Sequence, residues 1–552
     1  MKTKLLFVGF IVIYVLIVFK LFFLQILSPF KVNQDLYLQS RKLLPERGKI
    51  YDRNMTPLAL NQNSYLLYLE PKKITDELKL TKLLSGELDM PEASLEAKID
   101  MTKDWVAITS GINEDKKNAI ASLKLDGVGF QEDMKRFYPE ASLSAHLLGF
   151  VGKDKNGADT GYFGIEGYYN QDLSGLPGLL DSERDLFGRP IFIGVQNKVD
   201  PENGRDLVLT IDKTVQEIAK KRLQEGIEKY KAKQGCVLIA DPYTMAILSL
   251  VCLPDYDLDK YYNFSESYFL DPAVSDAFEP GSIFKPLIMA AAINEKKVQP
   301  QDTVNEDGPA VVSGYKIKTW NDQYEGKITM TRILEKSSNV GMVYVGDRLG
   351  QDDIYKYLEK YGFGKETGID LQGEDPSYLK PKSDWYPIDF ATVTFGQGIA
   401  VTQIQMVRAF AAVINGGYLM KPYVVGQIRS DKETINVQPQ VQGRVISSLT
   451  SDIMKKMLVS TVDNAEVKWD RPQGIQIGGK TGTAQVAIQG HYDPNKTNAS
   501  FIGFLPADKP KFIALVTLKQ PQTSPWGSET AAPIFFNIAK DLIVYYGITP
   551  SQ

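Results

Sequence analysis

Hydrophobic patterning divides the chain before any motif is considered. Leu5–Phe19 is apolar apart from Gly9, Lys20 interrupts it, and Leu21–Leu27 is apolar again except for Gln25. This 23-residue run is long enough to cross a bilayer core with some tilt. No small-residue cleavage site of the A-x-A kind follows, so the segment reads as an uncleaved anchor. Lys2 and Lys4 precede it and Lys31, Arg41, Lys42 and Arg47 follow, so flanking charge alone does not fix its orientation. The simplest topology puts the short N-terminal tail in the cytoplasm and everything past about residue 28 outside.

Beyond the anchor, residues 28–203 mix strand-like and helical pieces, punctuated by clusters such as Leu173-Ser174-Gly175-Leu176-Pro177-Gly178. Leu207–Asp212 predicts a strand ending in a helix cap, and an amphipathic helix follows over about Lys213–Lys231. Two apolar runs, Gly235–Ala240 and Ala246–Leu253, flank the turn signal Asp241-Pro242-Tyr243-Thr244 and predict a hairpin. Helical stretches come next, then strand-like runs over Gly474–Val486, Ser500–Leu505 and Lys511–Leu518, and a final helix over Ala531–Tyr546. Strands at both ends with helices between predict an α+β fold with one mainly antiparallel sheet flanked by helices. The expected division is 1–27 tail and anchor, 28–203 a first extramembrane domain, and 204–552 a second.

Composition narrows the chemistry. The 552 residues carry a net charge of −4 and no basic stripe, which argues against nucleic acid as a partner. The two histidines, His146 and His491, lie far upstream of the candidate serine or in a polar stretch that reads as a loop. Any serine chemistry is therefore pushed toward a lysine base rather than a Ser-His-Asp triad. The two cysteines, Cys236 and Cys252, are too few for the usual four-ligand zinc site, and no metal or cofactor is expected. They fall on the two arms of the predicted hairpin. Two buried free thiols are the expectation, with a bridge open in an oxidising compartment.

Three short runs then stand in order: Ser282-Ile283-Phe284-Lys285, Ser337-Ser338-Asn339 and Lys480-Thr481-Gly482-Thr483. Pro280-Gly281 marks a turn before the first, and Pro286 fits a helix's first turn, so Ser282 should open a buried helix with Lys285 on the same face. A second S-x-x-K, Ser28–Lys31, carries no such context. Ser337–Asn339 interrupts the helical stretch Met330–Leu349 as a cap would. Lys480–Thr483 lies in a strand, where glycine marks close approach by another backbone or a ligand. Gly474, Gly479, Lys480 and Thr481 formally fit a phosphate-loop pattern, but the segment continues as strand where that loop needs a helix.

The order and spacing of S-x-x-K, S-x-N and K-T-G-T resemble those of the class B penicillin-binding proteins, closest to the division-type peptidoglycan D,D-transpeptidases. The resemblance extends to the anchor, Arg47–Arg53, Arg136–Pro139, Gly161–Glu166, Phe278–Lys285 and Phe395–Ile399. It implies a membrane helix, an elongated pedestal over 28–203 and a transpeptidase domain over 204–552, held at the bacterial cell membrane with the catalytic part outside. It implies Ser282 as nucleophile toward a stem peptide ending in D-Ala-D-Ala, Lys285 as proton acceptor, Ser337 as proton relay, and Asn339 as an orienting group. Lys480 is implied as a catalytic residue that supplies positive field near the substrate carboxylate, Thr481, Gly482 and Thr483 as the substrate-binding run whose two threonine hydroxyls bind that carboxylate, and the N–H groups of Ser282 and Thr483 as an oxyanion hole. β-Lactams are implied as covalent inhibitors, and a polytopic glycan polymerase as partner through the anchor and pedestal. The alternatives are a β-lactamase-like hydrolase and a non-catalytic scaffold activating that polymerase. The first lacks a convincing E-x-x-L-N segment between Ser338 and Lys480; Gly373-Glu374-Asp375-Pro376 is a poor substitute.

Overall fold

The computed structural model describes residues 2–27, 38–155, 157–183, 196–488 and 491–550. The Ser28–Lys31 copy of S-x-x-K lies outside them. Two compact units emerge: 1–46 with 175–203, and 47–174 with 204–552. In the first, the apolar run forms the helix Lys2–Phe22, ending in a π-turn over Phe23–Leu27. Its 23-residue stretch Lys4–Ile26 is long and apolar enough to cross a membrane. The same unit holds a three-stranded antiparallel sheet in the order Leu38–Leu43, Gly178–Glu183, Gln196–Val199.

In the second unit, two sheets carry the structure. A seven-stranded sheet joins the long strand Pro57–Leu69 and its neighbours, by way of Ile50–Tyr51, to Asp206–Leu209 and Val425–Arg429. The tie within this sheet is electrostatic. Glu166 is fully buried; Arg47 Nε donates to its Oε2 at 2.8 Å and Arg136 Nε to its Oε1 at 2.7 Å. Arg136 Nη1 also donates to the Gly48 carbonyl and to Asn61 Oδ1. Burial opposes ionisation of Glu166, but the two guanidinium groups outweigh it and hold the carboxyl below its usual range. The three upstream motifs around Arg47, Arg136 and Glu166 thus converge on one buried ion cluster that ties strands together and contains no nucleophile. Glu166→Gln leaves two guanidinium groups without their counter-ion. It is expected to cost about 3 kcal/mol or more, read as a lowered urea midpoint.

The five-stranded sheet is antiparallel throughout, in the order Ile247–Leu253, Gln234–Ala240, Phe512–Lys519, His491–Leu505, Gly478–Ile488. Its central strands are buried on both faces, which explains why they read as continuous apolar runs rather than alternations. Val237, Ile239 and Val516 pack with the helices Lys213–Tyr230 and Ala531–Tyr545. Leu238, Leu515 and Ile513 belong to the other core, with the helices Lys285–Asn294 and Gln403–Ile414. Every residue of Lys285–Ile293 is buried, so that helix is apolar all round except for its first residue.

Three expectations are corrected. Cys236 and Cys252 form a disulfide rather than two free thiols. The hairpin register is the cause, since it sets the two cysteines directly opposite each other with Cα atoms 4.1 Å apart. Residues 491–495, read as a loop, begin the strand His491–Leu505 and pair back onto Val486–Ile488. The strand expected from Gly474 begins at Gly478. His146 is structural, as expected: it is 5% exposed, meets Tyr256 edge-on, and burial pushes its pKa down to about 4, leaving it neutral.

Candidate active site

The position of Ser282 follows from a clamped turn. Gly281–Phe284 form one 3-10 turn that runs into the Lys285–Asn294 helix, with Pro286 in its first turn as the sequence predicts. Gly281 has φ +57°, and its N–H donates to the Gly396 carbonyl at 3.0 Å. On the other side, a Cβ on Gly482 would fall 2.3 Å from Ser500 Oγ and 3.1 Å from the Pro280 carbonyl. The glycine of K-T-G-T therefore lets the edge strand close onto the turn that presents Ser282. Ser282 is half-buried and opens into a cleft. As the second residue of its turn, its N–H has no intrahelical acceptor.

The other motif residues meet it there. A cavity of about 330 Å³ is lined by Ser282, Ser337, Asn339, Lys480, Thr481 and Thr483, with Trp320 and Trp526 among the walls. Lys285 is 0% exposed, and its Nζ donates to the Ser337 carbonyl at 2.5 Å, to Ser337 Oγ at 3.2 Å and to Asn339 Oδ1 at 2.8 Å. Ser337 reaches it from a left-handed conformation, φ 60° and ψ 38°, at the end of the helix Met330–Lys336. Ser338 caps the next helix, Asn339–Leu349, by accepting from the Gly341 N–H at 2.8 Å. The break in the helical pattern is thus a real break, and it turns Ser337 and Asn339 toward one amine.

Burial and a neighbouring charge work against the ammonium form of Lys285. Burial lowers the Lys285 pKa well below the ordinary lysine value, the Lys480 ammonium lowers it further, and Glu306 acts in the other direction. Lys480 is 3% exposed, and burial pushes its pKa down to about 7; its Nζ lies 3.4 Å from Thr481 Oγ1. Thr483 Oγ1 accepts from the Gly527 N–H at 3.0 Å, fixing that hydroxyl beside the cleft.

Several wall residues have no motif signature. Trp320 and Trp526 meet edge-to-face, 5.1 Å between ring centroids, from elements some 200 residues apart in the chain. Thr461 Oγ1 bonds the Gly479 carbonyl, tying the helix Ser448–Asp463 to the start of the edge strand. Glu306, fully buried behind Ser338, stands out in the sequence by no pattern. The Glu374 weighed as a hydrolytic base accepts from the Thr367 and Gly368 N–H groups at 2.6 and 3.0 Å and from Thr367 Oγ1, so it closes a turn. Nor does a helix follow Lys480-Thr481: the strand runs on to Ile488, which removes the phosphate-loop reading. Among the described residues, no group of three or more His, Cys, Asp or Glu is arranged to hold a metal ion.

A hydroxyl at a helix mouth, a desolvated amine one turn on and a second amine on the facing strand are the groups that serine acyl transfer without imidazole would use. Comparison with known proteins gives the family. Residues 235–540 match the penicillin binding protein transpeptidase domain, and residues 42–209 match the penicillin-binding protein dimerisation domain. Stage V sporulation protein D of Bacillus subtilis is 34% identical, across 94% of this chain and 81% of that protein. Peptidoglycan D,D-transpeptidase FtsI of Escherichia coli strain K12 is 27% identical, across 96% of this chain and 89% of that protein. Among solved structures, a peptidoglycan synthetase from Bifidobacterium adolescentis superposes with a TM-score of 0.75 at 28% identity, covering 93% of this chain and 98% of the other. The chain belongs to the penicillin-binding protein transpeptidases, with the dimerisation-type and transpeptidase modules of the class B members.

Proposed function

We propose that this transpeptidase cross-links peptidoglycan stem peptides through an acyl-enzyme on Ser282. Ser282 Oγ attacks the penultimate D-Ala carbonyl of a D-Ala-D-Ala stem while neutral Lys285 takes its proton. Ser337 returns a proton to the departing D-Ala, and Asn339 orients Lys285. Lys480, Thr481 and Thr483 hold the terminal carboxylate, and Gly482 keeps their strand close. The N–H groups of Ser282 and Thr483 receive the developing oxyanion. An amine of a neighbouring stem then attacks the ester. β-Lactams acylate the same oxygen.

One observation carries this reading. A fully buried amine, Lys285, makes three contacts to Ser337 and Asn339, and those two residues line one cavity with Ser282 and Lys480. The family match and the relatives' names support the substrate class. The same relatives favour a role in division or sporulation. We place the catalytic region outside the cell membrane on a single N-terminal span. Residues 28–203 serve as pedestal and 204–552 as transpeptidase domain, and a polytopic glycan polymerase docks on the span and pedestal. Purified protein is expected to take up one fluorescent penicillin in a bond that survives denaturation. Rapid turnover of penicillin without an accumulating adduct would replace this reading with the hydrolase.

A further inference from the structure

Three lysines are buried at this site: Lys285 at 0%, Lys336 at 4% and Lys480 at 3% exposure. Buried ammonium groups are costly without a counter-ion. Glu306, also 0% exposed, stands at the end of the strand Thr303–Glu306, directly behind the S-x-N loop. Its Oε1 accepts from Ser338 Oγ. Its Oε2 is 3.7 Å from Lys336 Nζ and, among the described residues, takes no hydrogen bond. Lys336 and Ser338 are the two neighbours of Ser337, the left-handed residue whose carbonyl and hydroxyl hold Lys285.

We propose that Glu306 is a positioning residue: it grips both neighbours of Ser337, and its charge acts on Lys285 behind them. This rests on the reading of Lys285 as proton acceptor. The groups facing Glu306 are Lys336 from the helix Met330–Lys336, Tyr324 from the turn before it, and Lys285 beyond Ser337. The Asn339–Leu349 helix turns its capping Ser338 to it. Glu325 adds a second carboxylate 3.6 Å from Lys336, whose Nζ also donates to the Gln323 carbonyl at 3.0 Å. Lys336 thus has two carboxylates and a carbonyl for partners. Lys285 meets only neutral acceptors, and Glu306 is the carboxylate whose field reaches it.

The test is the pH dependence of penicillin acylation by full-length protein in detergent. Glu306→Gln keeps the acceptor for Ser338 and removes the charge. The ammonium form of Lys285 loses support, so the acid limb of the rate profile is expected to move to lower pH by about one unit. Lys336→Met releases Glu306 from its nearest cation and is expected to move the limb to higher pH. A purely structural role lowers the rate evenly and moves neither limb. An unmoved limb in Glu306→Gln, or the same direction in both variants, overturns the proposal. If Glu306→Gln does not fold, the sign of the Lys336→Met shift decides alone. Wild-type protein that takes no label sinks the site reading and this inference with it; labelled protein with unmoved limbs sinks this inference only.

Discussion

Ser282→Ala is expected to abolish covalent labelling by fluorescent penicillin while leaving the urea midpoint within error of the parent. Loss should be complete, because the bond forms on the deleted oxygen and the cleft holds no substitute. Ser337 Oγ, another hydroxyl of the same cavity, is already committed to Lys285 at 3.2 Å and sits on a left-handed cap rather than at a helix mouth. Stability should hold because Ser282 is half-buried, and the turn that carries it is fixed by the Gly281–Gly396 bond and by the close approach of Gly482. Labelling that persists in Ser282→Ala would remove the assignment. Labelling lost together with cooperative unfolding would mean that the substitution acted on the fold.

Lys285→Met is expected to lower the acylation rate by about 10²- to 10⁴-fold, the usual worth of a positioned general base. Methionine fills the buried volume, so the loss reads the amine rather than a cavity. The parent's pH profile gives an independent check. In the proposed mechanism Lys285 accepts the proton as the neutral amine, so the rate should rise as pH climbs through its depressed pKa, reaching a plateau below the range of an ordinary lysine. In the proposed mechanism Lys480 faces the substrate carboxylate as a cation, so binding of a carboxylate-bearing substrate should fail as pH rises past about 7 in the free enzyme. A bound carboxylate favours the charged amine and should carry that alkaline limit upward in the complex. An acylation rate that falls through the acid range as pH rises would contradict the assignment of roles.

Much of this site was legible because its chemistry is local. Ser282 and Lys285 share one helical turn, Ser337 and Asn339 flank one cap, and Lys480–Thr483 share one strand, so spacing alone announced each piece. The convergence of the pieces on one amine was not legible, since it depends on packing among segments separated by dozens of residues. Glu306 and the Trp320–Trp526 wall were invisible for the same reason: each is a single residue whose meaning lies in a partner far along the chain. The cysteine pair failed differently. The hairpin was predicted, but a strand pair read without its register cannot say whether two thiols face each other or miss by one position, and a slip of one residue changes the answer.

The strand Gly478–Ile488 ends its sheet with no further strand on its outer side among the described residues. Most proteins blunt such a border to avoid adhesion. Here it runs past Ser282, so in the proposed mechanism an extended stem would dock by its main chain as a sixth member of the sheet. Selectivity would then rest on the stem's last residues, and a small rigid amide copying those atoms would gain entry as well.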